Sequence, residues 1–304
     1  MKSFTFHIIL LNLAAFIFGG TALFSKIIPL PAFDIIFFRG AFAALFLGSY
    51  ILFFKKELLK IHSFQDLFWV LVAGLFFGIH LATYFYAIQL SNVGTAVISL
   101  FTFPMITAIL EPFVTNQKLK LKDIIVGVLT FVGVFFIVNE SDWNTSIYKG
   151  VGYGLVSAIT YGLRNLVLKY KLTNYHPVPL LFYQLFVTAI LMSAFISIEF
   201  KSIEPLNYGL LILLTLVFTI LPHLAVLKAL QKFEAKSVGF ILTLQVLYAM
   251  LFAYFLIGEK IELSLIFGAV LIIGIVGNET ISLRLKEITL IRKLNILKKA
   301  KRGY

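Results

Sequence analysis

Cysteine is absent from all 304 residues of this chain, so it can form no disulfide framework, thiol nucleophile or thiolate metal site. Charge is scarce as well, because aspartate, glutamate, lysine and arginine together make up only 13% of the residues. The motifs Gly-x-Ser-x-Gly and His-Glu-x-x-His are missing, and so is a phosphate-binding glycine loop. These absences argue against an enzyme, and we predict no catalytic residue, no metal and no cofactor.

Apolar residues, in contrast, are abundant: 60% of the chain is hydrophobic and the mean hydropathy is +0.98. A bilayer core is about 30 Å thick and takes about 20 helical residues to cross. Ten apolar runs approach or reach this length, and they predict an all-α polytopic protein surrounded by a lipid bilayer. The ten predicted transmembrane helices cover residues 5–27, 33–54, 67–89, 94–115, 122–139, 148–168, 178–199, 207–227, 236–257 and 262–281.

The 26 lysines and arginines are unevenly distributed along the chain. With the N-terminus in the cytoplasm, 20 of them fall on the cytoplasmic side and four on the other, while Arg39 and Arg164 lie within helices. Cytoplasmic loops of membrane proteins carry such an excess, so we predict that both termini are cytoplasmic. In a soluble protein the net charge of +12 would suggest nucleic acid. Here orientation in the membrane explains the charge, and we predict no nucleic-acid partner.

Two parts of the chain resemble each other. The His-Leu-Ala triplet at residues 80–82 recurs at 223–225, and Ala-Ile-Gln at 87–89 recurs as Ala-Leu-Gln at 229–231. These nearly constant offsets point to an old duplication. Each copy contains five predicted helices, and this odd number makes the second copy enter the membrane from the opposite side. Inverted repeats are typical of secondary transporters, in which the site lies at the repeat interface near the membrane midplane.

The duplication divides the chain into three predicted segments. The first five-helix repeat covers residues 1–140, the second and inverted repeat covers 146–281, and a basic cytoplasmic tail covers 282–304. Apolar side chains are interleaved with the charges of the tail. Their spacing fits a helix lying on an anionic leaflet, and it fits equally a frayed tail that serves only as an orientation signal.

Short features recur in an order that is known from one transporter family. They are Phe18-Gly19, Phe38-Arg39-Gly40, Pro104, Glu111-Pro112 and Gly258-Glu259. Together with the duplication, they make residues 5–281 resemble the EamA-type members of the drug/metabolite transporter superfamily. The chain departs from this family where Phe18 and Tyr161 replace a frequent tryptophan, Lys118 replaces a glutamate, and Gln245 stands near a usual proline.

The resemblance implies a secondary-active or facilitative transporter of a bacterial inner membrane, with alternating access around a cavity between the repeats. It implies export of amino acids or related small metabolites. Proton coupling and facilitated diffusion are both open, as are a monomer and a weak homodimer. One alternative is a transporter of nucleotide-linked or phosphorylated solutes, for which Arg39 alone offers few cations. Another is a lipid-handling membrane enzyme, which would need a polar cluster at one interface.

Arg39 is the first candidate for a substrate-binding residue. A charged side chain inside a membrane costs at least about 2.5–3.5 kcal/mol, so such residues are candidates for function. Arg39 lies about two turns into the second predicted helix. Its guanidinium could hold a carboxylate or phosphate through two parallel hydrogen bonds. A structural salt bridge, or snorkelling to the outer surface, is the alternative interpretation.

The other candidates are polar or aromatic residues within predicted helices. Glu111, Arg164 and His223 are candidates for coupling or gating. Glu111 could titrate, pair with Arg164 or lie at the interface, and Arg164 is expected to snorkel to the cytoplasmic surface. Histidine can titrate near neutral pH, but both His80 and His223 could also pack in the core. The predicted substrate-binding residues beside Arg39 are His80, Tyr84, Tyr161, Tyr183, Gln184, Gln245 and Tyr248.

Overall fold

A computed structural model describes residues 2–115, 145–200 and 203–258 continuously, with isolated positions between 121 and 132 and between 270 and 289. Every regular element in these ranges is helical. The α-helices are α1 (Lys2–Ile27), α2 (Ala32–Phe54), α3 (Phe64–Leu90), α4 (Val93–Leu100), α5 (Phe103–Thr115), α6 (Thr145–Lys171), α7 (Pro177–Ser193), α8 (Pro205–Thr215), α9 (Leu221–Leu230), α10 (Ala235–Leu242) and α11 (Leu244–Ile257). A 3-10 turn covers Lys56–Leu59, and a π turn covers Leu216–Ile220.

Six segments of the described chain are long and apolar enough to cross a membrane. They are Phe4–Ile27, Ala32–Phe54, Phe64–Leu90, Val93–Thr115, Pro205–Leu230 and Ala235–Ile257. The apolar helix α7 is shorter. This all-helical architecture is that of a polytopic membrane protein. Most of the fifth and tenth predicted helices, at 122–139 and 262–281, and most of the tail lie outside the described residues. The count of ten helices therefore stays a prediction.

The fourth and ninth predicted helices are not continuous, which corrects the prediction from hydropathy. The fourth is broken between α4 and α5, where Pro104 cannot donate a backbone hydrogen bond to the carbonyl of Leu100. At this break Thr102 Oγ1 donates to the carbonyl of Ser99 at 2.9 Å. The ninth is broken between α10 and α11 without a proline, and there Thr243 Oγ1 donates to the carbonyl of Phe240 at 2.6 Å. Threonine thus offers the backbone a local alternative to helix at the equivalent position of each half.

A proline also shapes the π turn between α8 and α9. Pro222 lacks the N–H that would bond to the carbonyl of Phe218, and the helix widens by one residue immediately before it. The freed carbonyl accepts a hydrogen bond from Thr21 Oγ1 of α1 at 3.2 Å. Within the turn, Thr219 Oγ1 donates to the carbonyl of Leu214 at 2.7 Å. The turn therefore gives Thr21 of α1 a carbonyl acceptor on the α8–α9 span.

The two halves pack against each other reciprocally. Helix α1 of the first half packs against α9, α10 and α11 of the second half. Helix α6 of the second half packs against α3, α4 and α5 of the first. Helices α2 and α7, the second helix of each half, pack directly together. Each half thus places its first helix against the broken helix of the other.

The recurring glutamines of the Ala-Ile-Gln and Ala-Leu-Gln triplets make equivalent contacts. Gln89 Nε2 donates to the carbonyl of Leu30 in the α1–α2 loop at 2.9 Å. Gln231 Nε2 donates to the carbonyl of Tyr175 in the α6–α7 loop at 2.9 Å. The hydroxyl of Tyr175 donates to Asp66, at the opposite end of α3 from Gln89. The two loops therefore lie at opposite ends of the 27-residue helix α3, about 40 Å apart.

Candidate functional site

A small cavity of about 30 Å³ lies between the halves, at the two helix breaks. Its polar lining consists of Thr21, Arg39, His80, Tyr84, Tyr161, His223 and Gln245. Leu100 and Phe101 line it at the first break, and Leu242 lines it at the second. The volume suits one or two water molecules. Binding of a larger solute therefore requires the surrounding helices to move apart.

Arg39 lies in the wall of this cavity and is only 1% exposed. Its Nε donates to Thr219 Oγ1 at 2.5 Å, and the carbon of its guanidinium lies 5.4 Å from the centre of the Phe85 ring. Among the described residues Arg39 forms no ion pair, and its Nη1 has no hydrogen-bond partner. This burial excludes snorkelling. The π turn caused by Pro222 supplies the hydroxyl that orients the guanidinium, which leaves Nη1 for an anion.

His80 is held by Ser157, a residue that the sequence analysis missed. The Ser157 hydroxyl donates to the carbonyl of His80 at 3.0 Å, and His80 Nδ1 lies 2.8 Å from Ser157 Oγ. Because the serine has only one proton to donate, Nδ1 is assigned as the donor and Nε2 keeps its lone pair. The imidazole stacks on Tyr161 with 4.3 Å between the ring centres. The network thus fixes the ring in the cavity wall.

His223 has an apolar environment at the equivalent position of the second half. Its ring centre lies 4.7 Å from those of both Phe18 and Phe77, with the rings edge to face. Within the described chain, neither of its ring nitrogens has a hydrogen-bond partner. Phe18 occupies the position of Tyr161 in the repeat, and both rings line the cavity. The two related pairs, His80–Tyr161 and His223–Phe18, therefore differ in polarity.

Three of the predicted substrate-binding residues do not line the cavity. The Tyr183 hydroxyl donates to the carbonyl of Leu59 at 2.6 Å, outside the central region. Gln184 accepts a hydrogen bond from Arg164, and its own amide donates to the carbonyl of Leu180. The Tyr248 ring packs on Phe16. Their positions in the middle of predicted helices indicated how deep they lie in the membrane. The sequence did not show that these side chains face away from the cavity.

Glu111 is a cap for a neighbouring helix, and it does not contact Arg164. Its carboxylate accepts hydrogen bonds from the backbone N–H groups of Ala235 at 2.7 Å and Lys236 at 3.3 Å, the first residues of α10. The Tyr170 hydroxyl donates to it at 2.7 Å. An anion at a helix N-terminus satisfies unpaired N–H groups and the helix dipole. Glu111 therefore joins α5, α6 and α10.

Arg164 does not snorkel to the surface as predicted, because its side chain is fully buried. The carbon of its guanidinium lies 3.9 Å from the centre of the Phe77 ring. Its Nε donates to Gln184 Oε1 at 2.6 Å. Burial between aromatic and amide groups satisfies part of the guanidinium inside the protein, so the side chain need not reach water.

The comparison with protein families supports a transporter. The sequence model of the EamA-like transporter family matches residues 5–139 and 148–277. The chain also matches a solved crystal structure with a TM-score of 0.71 at 13% identity. The match covers 95% of this chain and 99% of the chain in that structure, which shows a shared fold.

Curated relatives carry more specific names. An "S-adenosylmethionine uptake transporter" of Rickettsia prowazekii is 27% identical over 254 residues, covering 80% of this chain and 81% of the relative. A protein of the same name from Rickettsia conorii is 26% identical over 251 residues, which cover 80% of this chain and 81% of that relative. An "Uncharacterized transporter YxxF" of Bacillus subtilis is 24% identical over 260 residues, covering 84% and 83%. These names do not support the predicted export of amino acids. The matched residues make up most of the chain, and it therefore belongs to the EamA-like transporter family.

Proposed function

We propose that this protein imports a small metabolite with an amino-acid end and an aromatic base, S-adenosylmethionine or a close analogue. The proposed location is a bacterial inner membrane. The observation that carries the proposal is Arg39, a buried guanidinium in the cavity wall without an ion pair among the described residues. The names of the Rickettsia relatives support the solute class and the inward direction.

Arg39 suits the carboxylate of an amino acid. Leaving a buried charge unpaired costs several kcal/mol, and a bound carboxylate offsets that cost through charge-assisted hydrogen bonds. The Nη1 atom has no partner in the described chain, and Nε is held by Thr219. The break between α10 and α11 adds Gln245 to the same cavity. Gln245, which stands near the position of the family's usual proline, supplies an amide that can donate to the solute.

The remaining wall suits an aromatic base and a sulfonium cation. Tyr161 packs edge to face on Phe103 with 4.7 Å between the ring centres, and it stacks on His80. Phe18 and Tyr84 line the same cavity. Aromatic faces attract cations and stack on planar heterocycles. S-adenosylmethionine combines a carboxylate, a sulfonium and an adenine, so one molecule matches each of these groups.

The proposed mechanism is alternating access between two inverted repeats, residues 1–140 and 146–281. Two observations support it. Helices α1 and α6 each pack against the broken helix of the opposite half, and the breaks fall at equivalent positions of the two halves. Broken helices that meet at a central site are common in secondary transporters. The 30 Å³ cavity must widen to hold the solute, first towards one membrane face and then towards the other.

Single cysteines test the orientation, and the chain needs no prior removal of native cysteines. Lys56 follows α2 and Lys149 lies in the first turns of α6, and both are exposed. We expect a membrane-impermeant maleimide added outside intact cells to label Lys149→Cys, and Lys56→Cys to react only after permeabilisation. The reverse labelling pattern would contradict cytoplasmic termini.

Uptake by purified protein in liposomes tests the proposed function. We expect saturable uptake of labelled S-adenosylmethionine above that of protein-free liposomes, with stronger competition from S-adenosylhomocysteine than from methionine. Repeating the assay with an imposed pH gradient separates proton coupling from facilitated diffusion. A protein that carries UDP-sugars or sugar phosphates and ignores S-adenosylmethionine would show that the proposal is wrong.

A further inference from the structure

Arg164 is a second buried guanidinium that the proposed Arg39 site leaves unused. Its Nε donates to Gln184 Oε1 at 2.6 Å, and its Nη1 donates to Asn165 Oδ1 at 3.3 Å. Within the described part of the chain, Nη2 has no hydrogen-bond partner and no carboxylate lies within ion-pair distance. Ionisable residues inside a membrane usually pair with one another or with backbone carbonyls, and they are candidates for function by default. Arg164 instead has no ionic partner in the described chain, and its Nη2 donor stays unpaired beside the Phe77 ring.

Helix α3 shows how the two arginines lie relative to the cavity. Arg164 lies over Phe77, and Arg39 lies 5.4 Å from the Phe85 ring. Phe77 and Phe85 are eight residues apart, which corresponds to about 12 Å along the helix. His80 falls between them and lines the cavity. The two guanidiniums therefore flank the cavity along the direction of α3.

Each arginine lies the same number of residues from one end of its own helix. Arg39 lies seven residues after the start of α2, beside the α1–α2 loop. Arg164 lies seven residues before the end of α6, beside the α6–α7 loop. Seven helical residues correspond to about 10 Å in both cases. Because these loops lie at opposite ends of α3, the two arginines are displaced along that helix, with Arg39 nearer the α1–α2 loop and Arg164 level with the middle of α3.

Tyr161 separates Arg164 from the cavity. The carbon of the Arg164 guanidinium lies 5.6 Å from the centre of the Tyr161 ring. The other ring contacts of Tyr161 are with His80 and Phe103, and all three residues line the cavity. A rotation of the tyrosine away from His80 would join Arg164 to the cavity and leave Arg39 in place.

We propose that Arg164 is a second binding position for the carboxylate of the transported solute, occupied when the cavity opens towards the α6–α7 loop. This inference rests on the proposed function and adds a step to it. A carboxylate held by Arg39 alone would have to leave a buried cation for water in one step. Transfer to a second guanidinium, beside a ring about two helical turns away along α3, keeps the carboxylate near a cation during the conformational change. Arg39 then serves one face of the membrane and Arg164 the other.

Side-specific transport assays test the inference. Uptake of labelled S-adenosylmethionine into intact bacterial cells reports the outer face, and uptake into inverted membrane vesicles reports the cytoplasmic face. We expect Arg164→Gln to raise the half-saturating concentration at least tenfold in inverted vesicles and less than twofold in cells. Arg39→Gln should show the opposite preference. Decarboxylated S-adenosylmethionine lacks the carboxylate, so its half-saturation should not respond to either substitution.

The outcomes separate the inference from the proposed function. If the wild-type protein carries no S-adenosylmethionine in either preparation, the proposed function is wrong and the inference falls with it. If the wild-type protein transports S-adenosylmethionine but Arg164→Gln leaves the half-saturating concentration in inverted vesicles unchanged, only the proposed role of Arg164 is wrong. The role of Arg164 is also wrong if Arg164→Gln raises the half-saturating concentration of decarboxylated S-adenosylmethionine equally, since that pattern indicates a packing role. Should Arg164→Gln fail to fold, Arg164→Lys keeps the charge, removes the forked donors, and is expected to shift the vesicle value alone.

Discussion

Replacement of Arg39 by glutamine should lower S-adenosylmethionine uptake about 100-fold while the protein still folds. The substitution removes the positive charge from the cavity wall, together with the Nη1 donor that has no partner in the described chain. Removing one partner of a buried, hydrogen-bonded charge pair costs about 2–5 kcal/mol, and each 1.4 kcal/mol corresponds to about tenfold in affinity. The fold should survive because Arg39 has no ion pair in the described chain and its removal relieves an unpaired buried charge.

The loss of uptake should depend on the chemistry of the replacing residue and on the position of the substitution. Arg39→Lys keeps the charge but loses the forked donor geometry, so we expect an intermediate loss. Arg284→Gln is the same chemical change at an exposed position, and it should leave uptake unchanged. Initial rates of uptake into intact cells, which report the outer face, measure the effect, and elution on size exclusion checks folding. Wild-type half-saturation in a folded Arg39→Gln protein would remove Arg39 from the site.

Gly19→Ala should cause the largest loss of stability among the glycine substitutions. A methyl group at Gly19 would lie 2.5 Å from Cβ of Tyr248 and 3.0 Å from the backbone nitrogen of Ala249. Neither atom can move by side-chain rotation, so α1 and α11 must separate. Overpacking of this kind costs about 1–3 kcal/mol, which exceeds the gain of up to about 1 kcal/mol from replacing glycine in a helix.

Two other glycines provide matched comparisons. Gly152 has open space around it and should tolerate alanine with no loss of thermal stability. Gly162 occupies the position of Gly19 in the second half, and its methyl group would meet the Thr107 hydroxyl at 3.0 Å. A threonine side chain can adjust, so Gly162→Ala should have an intermediate effect. Thermal unfolding in detergent gives the order, and a Gly19→Ala protein as stable as Gly152→Ala would contradict close packing of α1 on α11.

Sequence reasoning was sufficient for the class of protein and for its family. Apolar length and the lack of charge predict membrane helices because the bilayer imposes one thickness on every span. The order of short motifs predicted the EamA-type resemblance, which the family match confirms. A charged residue within an apolar run also directed attention to Arg39, which does line the cavity. These signals depend on composition and order along the chain, so they can be read without the fold.

Hydropathy could not reveal the helix breaks. An apolar run has the same mean hydropathy whether it is continuous or interrupted, and the break at Thr243 has no proline to mark it. The same limitation hid the consequence of Pro222, whose π turn places Thr219 against Arg39. A proline within an apolar run was the available signal for that turn.

The tertiary structure alone decided which polar groups meet. Ser157 holds His80, Thr219 holds Arg39, and Gln184 turns to Arg164 and not to the cavity. These partners are between 20 and 180 residues apart in the chain. A hydrogen bond needs its donor and acceptor within about 3.5 Å, and a small helix rotation changes which side chains come that close. Composition and motif order therefore determined that this protein is a membrane transporter of its family, while the packing of the two halves decided which side chains form the central cavity.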